Sequence, residues 1–262
     1  MSRENNCNPL PELIKELEQW HRTPLGLELL AQEKCALEQL LPALFGYYLL
    51  HIGPANGLGE TLSYSHIRTL VDFSQGSADF TAGSCVVGDM EYLPFASDSI
   101  DVVLLSHTLD FSPDPHPLLR EVERVLIPEG KLIILGFNPF SLWGAWRLFR
   151  LRRRNIPWCG RFLSLSRLDD WLSLLGFEVQ QVKRMMFIPP LQQSGLIRQL
   201  AIVERLGRRY WPMLSGSYVV QAVKRVSTLT PIEPAWKLGS RVLGGSVIEP
   251  TTRTSSQELG SE

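Results

Sequence analysis

A series of short apolar runs, each too short for a buried helix, most constrains the fold of this chain. Five lie between residues 47 and 137 and are separated by turns or helical patterns: YYLLHI, HIRTLVDF, SCVVGD, IDVVLLSH and KLIILGF. Two more, EVQQVKRMMF and SYVVQAVKRV, follow nearer the C-terminus. Short apolar strands that alternate with helices are typical of a sheet built by crossover connections. The pattern predicts an α/β fold with a doubly wound, mostly parallel seven-stranded sheet.

Helical periodicity fills the segments around these strands. From Pro9 to Leu44 apolar residues recur at three- and four-residue steps with a break at Thr23–Pro24, which predicts two helices beside the core. HPLLREVERVL is amphipathic and ends at IPEG, and SLSRLDDWLSLLGF has a serine N-cap and a terminal glycine. The C-terminal stretch has no sustained periodicity. We therefore expect an N-terminal helical extension at 1–44, the main domain at 45–226 and a disordered tail at 227–262.

Composition narrows the class of protein. The 262 residues include 26 basic and 27 acidic side chains, so no global field attracts DNA. The four cysteines, Cys7, Cys35, Cys85 and Cys159, form no C-x-x-C pair, which predicts a reducing compartment without a zinc site or a disulfide framework. The longest apolar stretch, LLPALFGYYLL, is too short to span a bilayer. We expect a cytoplasmic protein with no bound metal and no transmembrane segment.

A glycine turn follows the first predicted strand, in LLHIGPANGLGE. It fails the dinucleotide pattern G-x-G-x-x-G, and no lysine follows that would hold phosphates. It fits G-x-G-x-G with an alanine in the middle, at Gly53, Ala55 and Gly57. Such a turn passes backbone closely beneath a nucleoside cofactor such as S-adenosylmethionine, which needs no pyrophosphate cradle. The alternative is a strand end that binds no ligand.

A carboxylate lies at the end of the second predicted strand. Asp72 stands nineteen positions after Gly53, within LVDFS. A carboxylate there is a natural acceptor for the two ribose hydroxyls of a nucleoside bound at neighbouring strand ends. A simple turn residue is the alternative.

The sequence from Gly88 onward resembles a known family. GDMEYLPFASDSIDVVLLSH and DPHPLLREVERVLIPEGKLIILGF resemble the class I S-adenosylmethionine-dependent methyltransferases of the broad methyltransferase type 11 group. That group shows a strand ending in G-D, then LPF, an acidic SFD-like turn, a strand, an L-x-E-x-x-R-V-L-x-P-G-G helix and another strand. These motifs lie here at 88–89, 93–95, 99–101 and 119–130. The resemblance covers roughly residues 49–137 and leaves out the N-terminal helices and the tail.

The resemblance implies an enzyme with a Rossmann-like methyltransferase fold and S-adenosyl-L-methionine as methyl donor. It implies that Asp72 binds the ribose hydroxyls and that Asp89 accepts a hydrogen bond from the adenine amino group, beside the backbone of Met90. The cofactor-binding positions that it implies are Gly53, Ala55, Gly57, Asp72, Asp89, Met90 and Ser106.

Two features depart from the family pattern. His51 replaces the acid that commonly stands in the first strand. Only sixteen residues separate Asp72 from Asp89, where the family places a helix and a strand, so we expect SQGSADFTAG to be a loop. Both departures lower the affinity for the cofactor that we expect. They favour, as an alternative, a catalytically weak or inactive cofactor-binding or partner protein on the same fold.

His107 is the candidate catalytic residue. It ends the fourth predicted strand, where the shared crevice of such a sheet lies, and an imidazole titrates near neutral pH. It could remove the proton of an acceptor hydroxyl, with Asp110 orienting the ring. The alternative is a histidine that only shapes the cofactor pocket or the strand terminus.

A basic segment follows the fifth strand. Six arginines occur there without an acidic residue among them: Arg147, Arg150, Arg152, Arg153, Arg154 and Arg161. Such a surface could bind a phosphate, an acidic carrier protein, an anionic membrane surface or RNA, and a solvated helix face is the alternative. FSLWGAW, just before it, is either an aromatic roof over an acceptor or a helix packed on the sheet edge. We expect methyl transfer to an unidentified small molecule, with RNA or protein methylation through residues 147–161 as a further alternative.

Overall fold

A computed structural model describes residues 10–54, 58–75, 84–150, 156–190, 207 and 209–226. Several predictions fall outside these ranges: those for Ala55, Gly57, most of the loop at 74–83, Arg152, Arg153, Arg154, the side chain of Arg150 and the tail at 227–262.

The described residues include seven strands and seven α-helices with defined bounds. The strands are β1 (Phe45–Ile52), β2 (His66–Ser74), β3 (Ser84–Val87), β4 (Ile100–Ser106), β5 (Leu126–Phe137), β6 (Phe177–Met185) and β7 (Ser217–Lys224). The helices are α1 (Leu10–His21), α2 (Pro24–Glu38), α3 (Gly59–Leu62), α4 (Thr108–Phe111), α5 (Pro115–Val125), α6 (Leu142–Arg150) and α7 (Leu165–Leu174). In these ranges no helix is both long enough and apolar enough to cross a membrane.

The strands form one seven-stranded sheet in the order β3-β2-β1-β4-β5-β7-β6. The first five strands pair in parallel, and β7 runs antiparallel to both of its neighbours. This confirms the predicted doubly wound, mostly parallel sheet. The strand order reverses between β1 and β4, and ligands of such sheets bind in the crevice outside the carboxyl ends at that point.

Each face of the sheet is covered by its own helices. On one face Leu29 and Leu37 of α2 pack in the same buried cluster as Leu104 of β4. On the other face Leu118 of α5 packs in a cluster with Leu105 of β4. We call these the α2 face and the α5 face. Because successive strand residues point to opposite faces, β4 has to be apolar on both, and the sequence IDVVLLS meets this need.

The break between α1 and α2 lies where the sequence predicts it. Thr23 caps α2, since its Oγ1 accepts the backbone N–H of Gly26 at 3.2 Å, and Pro24 fits the first helical position. A Cβ on Gly26 would lie 2.3 Å from the carbonyl oxygen of Trp20, so only glycine permits this close approach of the two helices.

The end of α5 differs from the prediction. The sequence predicts that IPEG ends the helix and that the fifth strand is KLIILGF, whereas β5 begins at Leu126 and contains IPEG. The pairing of β4 with β5 shifts register between Ile100 and Val102, and Glu129 takes a φ of 63°. An irregularity in the strand therefore absorbs the residues that are expected to close the helix.

Candidate active site

The turn after β1 packs closely on the end of β4. Gly53 has a φ of 144°, and a Cβ there would lie 2.4 Å from the carbonyl oxygen of Ser106. Thr108 joins the same two elements, because its Oγ1 donates to the carbonyl oxygen of Ile52 at 2.7 Å. The turn therefore requires glycine at position 53 and brings backbone from β1 and β4 together at the crevice.

His51 and Asp72 lie side by side in β1 and β2 and bind each other. They are register partners, and Nδ1 of His51 lies 2.9 Å from Oδ1 of Asp72. An ionised carboxylate only accepts, so Nδ1 carries the proton of this hydrogen bond. His51 is buried, and its Nε2 has no partner among the described residues. The residue that replaces the expected acid thus takes up one oxygen of the predicted ribose ligand and leaves Oδ2 for another donor.

Asp89 follows β3, at the strand end next to Asp72. The backbone N–H of Gly88 donates to the carbonyl oxygen of Ser74 at 3.1 Å, which holds the ends of β2 and β3 together. Asp89 is exposed, its Oδ1 accepts the backbone N–H of Glu91 at 3.0 Å, and Met90 is buried. The two carboxylates therefore lie at neighbouring strand ends, while their individual roles stay predictions.

The LPF segment is held in place by the E-x-x-R pair of α5. Arg124 binds both carboxylate oxygens of Glu121, at 3.0 and 2.7 Å, and this hydrogen bonding lowers the pKa of Glu121. Arg124 also donates to the carbonyl oxygens of Leu93 and Phe95, at 3.0 and 2.9 Å. The backbone N–H of Leu93 donates to Glu121 at 2.9 Å. We call this arrangement the Arg124 brace, and it fixes the segment next to Asp89.

On the α2 face, the side chain of His107 lies between two carboxylates. His107 follows β4 with a φ of 55° and is fully buried. Its Nε2 lies 2.7 Å from Oε1 of Glu33 in α2, and its Nδ1 lies 3.1 Å from Oδ2 of Asp110 in α4. The same Oδ2 accepts the backbone N–H of Phe137 at 3.0 Å. One side chain therefore joins α2 and α4 to the end of β4.

The charges around His107 keep it protonated. Burial works to lower its pKa, but the charge of Glu33 and the hydrogen bonds to both carboxylates outweigh burial and raise the pKa to about 9. Burial raises the pKa of Asp110, against the hydrogen bonds from His107 and the Phe137 amide. An imidazolium with both N–H groups engaged differs from a free base that titrates near neutral pH. The base role of His107 stays a prediction, and it requires prior loss of this proton.

His21 of α1 completes the group, which we call the Glu33 cluster: His21, Glu33, His107 and Asp110. The rings of His21 and His107 are 6.5 Å apart, and burial lowers the pKa of His21 to about 4. Within the described ranges no partner binds either ring nitrogen of His21, Oε2 of Glu33 or Oδ1 of Asp110. Buried polar atoms of this kind are costly unless water or a ligand satisfies them.

Comparison with known proteins agrees with the fold and the motifs. A family model described as "Methyltransferase domain" matches residues 52–134. The uncharacterised protein YafS of Escherichia coli strain K12 is 35% identical over 226 residues, which cover 84% of this chain and 86% of YafS. The chain belongs to the class I S-adenosylmethionine-dependent methyltransferases.

Two further proteins are similar to this methyltransferase. A demethylmenaquinone methyltransferase of Chlamydia pneumoniae is 34% identical over 154 residues, covering 53% of this chain and 65% of that protein. The crystal structure of a SAM-dependent methyltransferase from Archaeoglobus fulgidus matches with a TM-score of 0.53 at 17% identity, over 74% of this chain and 94% of that chain. The latter likeness shows the fold.

S-adenosyl-L-methionine is the cofactor of this family, and the residues at the crevice fit it. Gly53 lets backbone approach closely, and Asp72 and Asp89 each keep one carboxylate oxygen, Oδ2, with no partner in the described part of the chain. These oxygens are acceptors, and the ribose hydroxyls and the adenine amine are donors. No three His, Cys, Asp or Glu side chains of the described ranges are arranged to hold a metal ion.

Sequence reasoning missed Glu33 and His21 of the methyltransferase. Glu33 stands four residues after Leu29 and four before Leu37, and both leucines are fully buried. Residues four apart share a helix face, so the carboxylate lies on the apolar side of α2. The position of Glu33 on the apolar face of α2 was the signal available in the sequence, because an acid in such a position needs a buried partner.

The basic segment is described only in part. Arg147 turns inward: its Nε donates to the carbonyl oxygen of Trp158 at 3.1 Å, and its guanidinium lies 5.3 Å from the ring centre of Phe162. Binding of an anionic partner by the other arginines of α6 and residues 151–155 stays a prediction.

The aromatic segment after β5 packs into the core. Trp143 of α6 is buried, and its Nε1 donates to the carbonyl oxygen of Ile188 at 2.9 Å. Its ring contacts Trp20, Trp158 and Phe137. Phe137 in turn stacks on His107 with ring centres 4.2 Å apart. Trp143 therefore agrees with the second of the two predicted alternatives, a helix packed on the sheet edge. The aromatic layer around Trp143 forms one wall of the Glu33 cluster.

Proposed function

We propose that this chain catalyses methyl transfer from S-adenosylmethionine to a small-molecule acceptor. The observation that carries the proposal is the pair of carboxylates, Asp72 and Asp89, at neighbouring strand ends beside the Gly53 turn. The Chlamydia pneumoniae relative, named for methylation of demethylmenaquinone, supports an acceptor of this class.

The residues of the crevice mainly bind and position. Oδ2 of Asp72 accepts from the ribose hydroxyls, and Asp89 accepts from the adenine amine next to the wall that the Arg124 brace holds. When bound, S-adenosylmethionine supplies an electrophilic methyl group whose leaving group is a neutral thioether. The protein then has to align the acceptor and exclude water, and alignment alone can lower a barrier by roughly 7–11 kcal/mol in favourable cases.

The Glu33 cluster closes the crevice on the α2 face. His107, as an imidazolium, holds α2 through Glu33 and α4 through Asp110, next to Ser106 at the end of β4. In this proposal His107 is a positioning residue. For it to act as the predicted base, its proton must first pass to one of the two carboxylates, which moves the cluster toward a neutral form.

The test is cofactor binding followed by transfer. We expect titration calorimetry to show binding of S-adenosylmethionine by the wild-type chain and at least tenfold weaker binding by Asp72→Asn, because the amide cannot replace an ionised acceptor. Asp169→Asn, an exposed acid of α7, is the matched control and should bind normally. Methyl-labelled cofactor with fractionated cell extract then identifies the acceptor pool. Equal affinity in all three proteins contradicts the assignment of Asp72.

A second candidate function is a cofactor-binding protein without transferase activity. The hydrogen bond from His51 to Asp72 favours it, because His51 occupies one oxygen of the ribose ligand and stands where the family commonly has an acid. Tight cofactor binding with no label transferred to the lipid, small-molecule, RNA or protein pools supports this candidate over the first.

A further inference from the structure

A small cavity opens between the start of α5 and the start of α7, and its lining residues Leu109 and Leu163 belong to the buried cluster of the α5 face. Its volume is about 140 Å³. Its wall is apolar, with basic and polar groups at its rim. The lining residues that matter here are Leu109, Asp114, His116, Arg161, Arg167 and Trp171.

The rim is positively charged. It carries two guanidinium groups, of Arg161 and Arg167, against one carboxylate, of Asp114. Oδ1 of Asp114 accepts the backbone N–H of His116 at 3.0 Å, so this carboxylate caps α5. α7 begins between the lining residues Leu163 and Arg167, and the positive end of its dipole adds to the field.

Most donors at the rim are not used by the protein. Arg161 donates through Nη1 to the carbonyl oxygen of Pro113 at 3.0 Å, which fixes its guanidinium at the cavity. In the described ranges the side chain of Arg167 forms no hydrogen bond or ion pair, and the His116 ring contacts only Trp171, with ring centres 4.2 Å apart. A fixed guanidinium beside a free one is the donor arrangement that suits phosphate and carboxylate oxygens.

The cavity adjoins the proposed active site through the backbone. The N–H of Arg161 donates to the carbonyl oxygen of Asp110, whose side chain binds His107. Leu109, two residues after His107, forms part of the lining. Sites for whole drug-sized ligands are about 300–1,000 Å³. A smaller cavity next to the crevice is therefore suited to one charged group of a larger molecule.

We propose that this cavity, the Arg161 pocket, binds a phosphate or carboxylate group and is placed to hold one that the methyl acceptor carries. The first part stands on the pocket alone. The second part rests on the proposed function, and it makes the acceptor an anionic molecule whose charged group lies next to α4, the helix that also carries Asp110 of the Glu33 cluster.

The experiment titrates inorganic phosphate, and separately acetate, into the full chain at constant ionic strength while tryptophan fluorescence reports on Trp171. We expect saturable binding of phosphate by the wild type and at least tenfold weaker binding by Arg161→Gln/Arg167→Gln. Arg167→Gln alone removes no described hydrogen bond and should weaken binding without affecting folding. Arg68→Gln, an exposed arginine of β2, is the charge-matched control and should bind as the wild type does. Equal phosphate affinity in Arg68→Gln and the double variant overturns the pocket.

Enzyme kinetics distinguishes an anionic group on the acceptor from a free anion. The substrate is the acceptor fraction that the labelled-cofactor assay identifies. If the acceptor carries the group, Arg167→Gln raises its KM at least fivefold with little change in kcat, and phosphate competes with it. Phosphate binding in the pocket combined with an unchanged KM overturns the assignment to the acceptor and identifies a free anion. Failure of the proposed function can be distinguished from failure of the pocket. In that case the wild type binds phosphate but does not bind the cofactor or transfer its methyl group.

Discussion

The two faces of the sheet stabilise the same carboxyl edge in different ways. On the α5 face the Arg124 brace is half-exposed, and the two side chains bind each other and three backbone groups of the LPF segment. On the α2 face the Glu33 cluster is fully buried, and four of its side-chain atoms lack a partner in the described ranges. The ion pair of the first arrangement is satisfied and lies within one helix, whereas the second arrangement is incomplete and joins Glu33 to His107, which are 74 residues apart.

The difference distinguishes a part of the fold that is complete without a ligand from a part whose buried polar atoms need water or a ligand. A satisfied ion pair near the surface needs no ligand, and its net contribution is modest. Buried atoms without partners cost free energy unless water or a ligand supplies the missing hydrogen bonds. The Glu33 cluster is therefore the side of the crevice on which water or an acceptor group is expected to bind.

The largest expected effect is that of removing Glu33. Glu33→Ala leaves the imidazolium of His107 buried with one carboxylate fewer, and loss of one partner from a buried pair costs about 3–5 kcal/mol. We expect the free energy of unfolding in urea to fall by about this amount. Glu33→Gln, which keeps an acceptor for Nε2, should cost less, and Glu38→Ala at the end of α2 should cost little. A loss below about 1 kcal/mol in Glu33→Ala would show that the cluster is held by water instead.

The pH dependence of stability separates the two buried histidines. The pKa of His107 is raised from 6.5 to about 9, so its contribution is complete below pH 6.5 and is lost as the pH rises through 9. The pKa of His21 is lowered from 6.5 to about 4, so stability is lost as the pH falls from 6.5 toward 4. Each arm amounts to about 3 kcal/mol. Urea unfolding from pH 4 to 10 should show a maximum near pH 6.5.

Variants assign the two arms of this profile. His107→Gln should remove the alkaline arm and His21→Gln the acidic arm, whereas His66→Gln, an exposed histidine of β2, should change neither. A profile that stays flat between pH 6.5 and 9 in the wild type contradicts an imidazolium at position 107.

Much of the fold follows from the sequence because parallel strands are buried on both faces. In the sequence such strands are continuous apolar runs, and both β4 and β5 contain a run of this kind. The Arg124 brace is local as well, since its two side chains are three residues apart on one helix. Its contacts with Leu93 and Phe95 were outside the reach of pattern reasoning, although the LPF motif itself was not.

The Glu33 cluster could not be predicted in the same way. Glu33 and His107 are 74 residues apart, and only tertiary packing of α2 on the end of β4 brings them together. His107 was found because it ends a strand, but its charge state depends on Glu33, which no local motif marks. Similarly, the glycine at position 53 was predicted from its turn, whereas the hydrogen bond between His51 and Asp72 required the register of β1 and β2.

The smallest of the three effects tests the complete, local side of the comparison. Arg124→Met removes the donors to Leu93 and Phe95 but keeps an apolar stem on α5, and we expect a loss of about 1–3 kcal/mol in unfolding free energy. Because the freed LPF segment lies next to Asp89, cofactor affinity should fall together with stability. Arg120→Met, an exposed position on the same helix, is the control. Lower stability with unchanged cofactor affinity would mean that the brace supports only the fold and that the adenine wall does not depend on it.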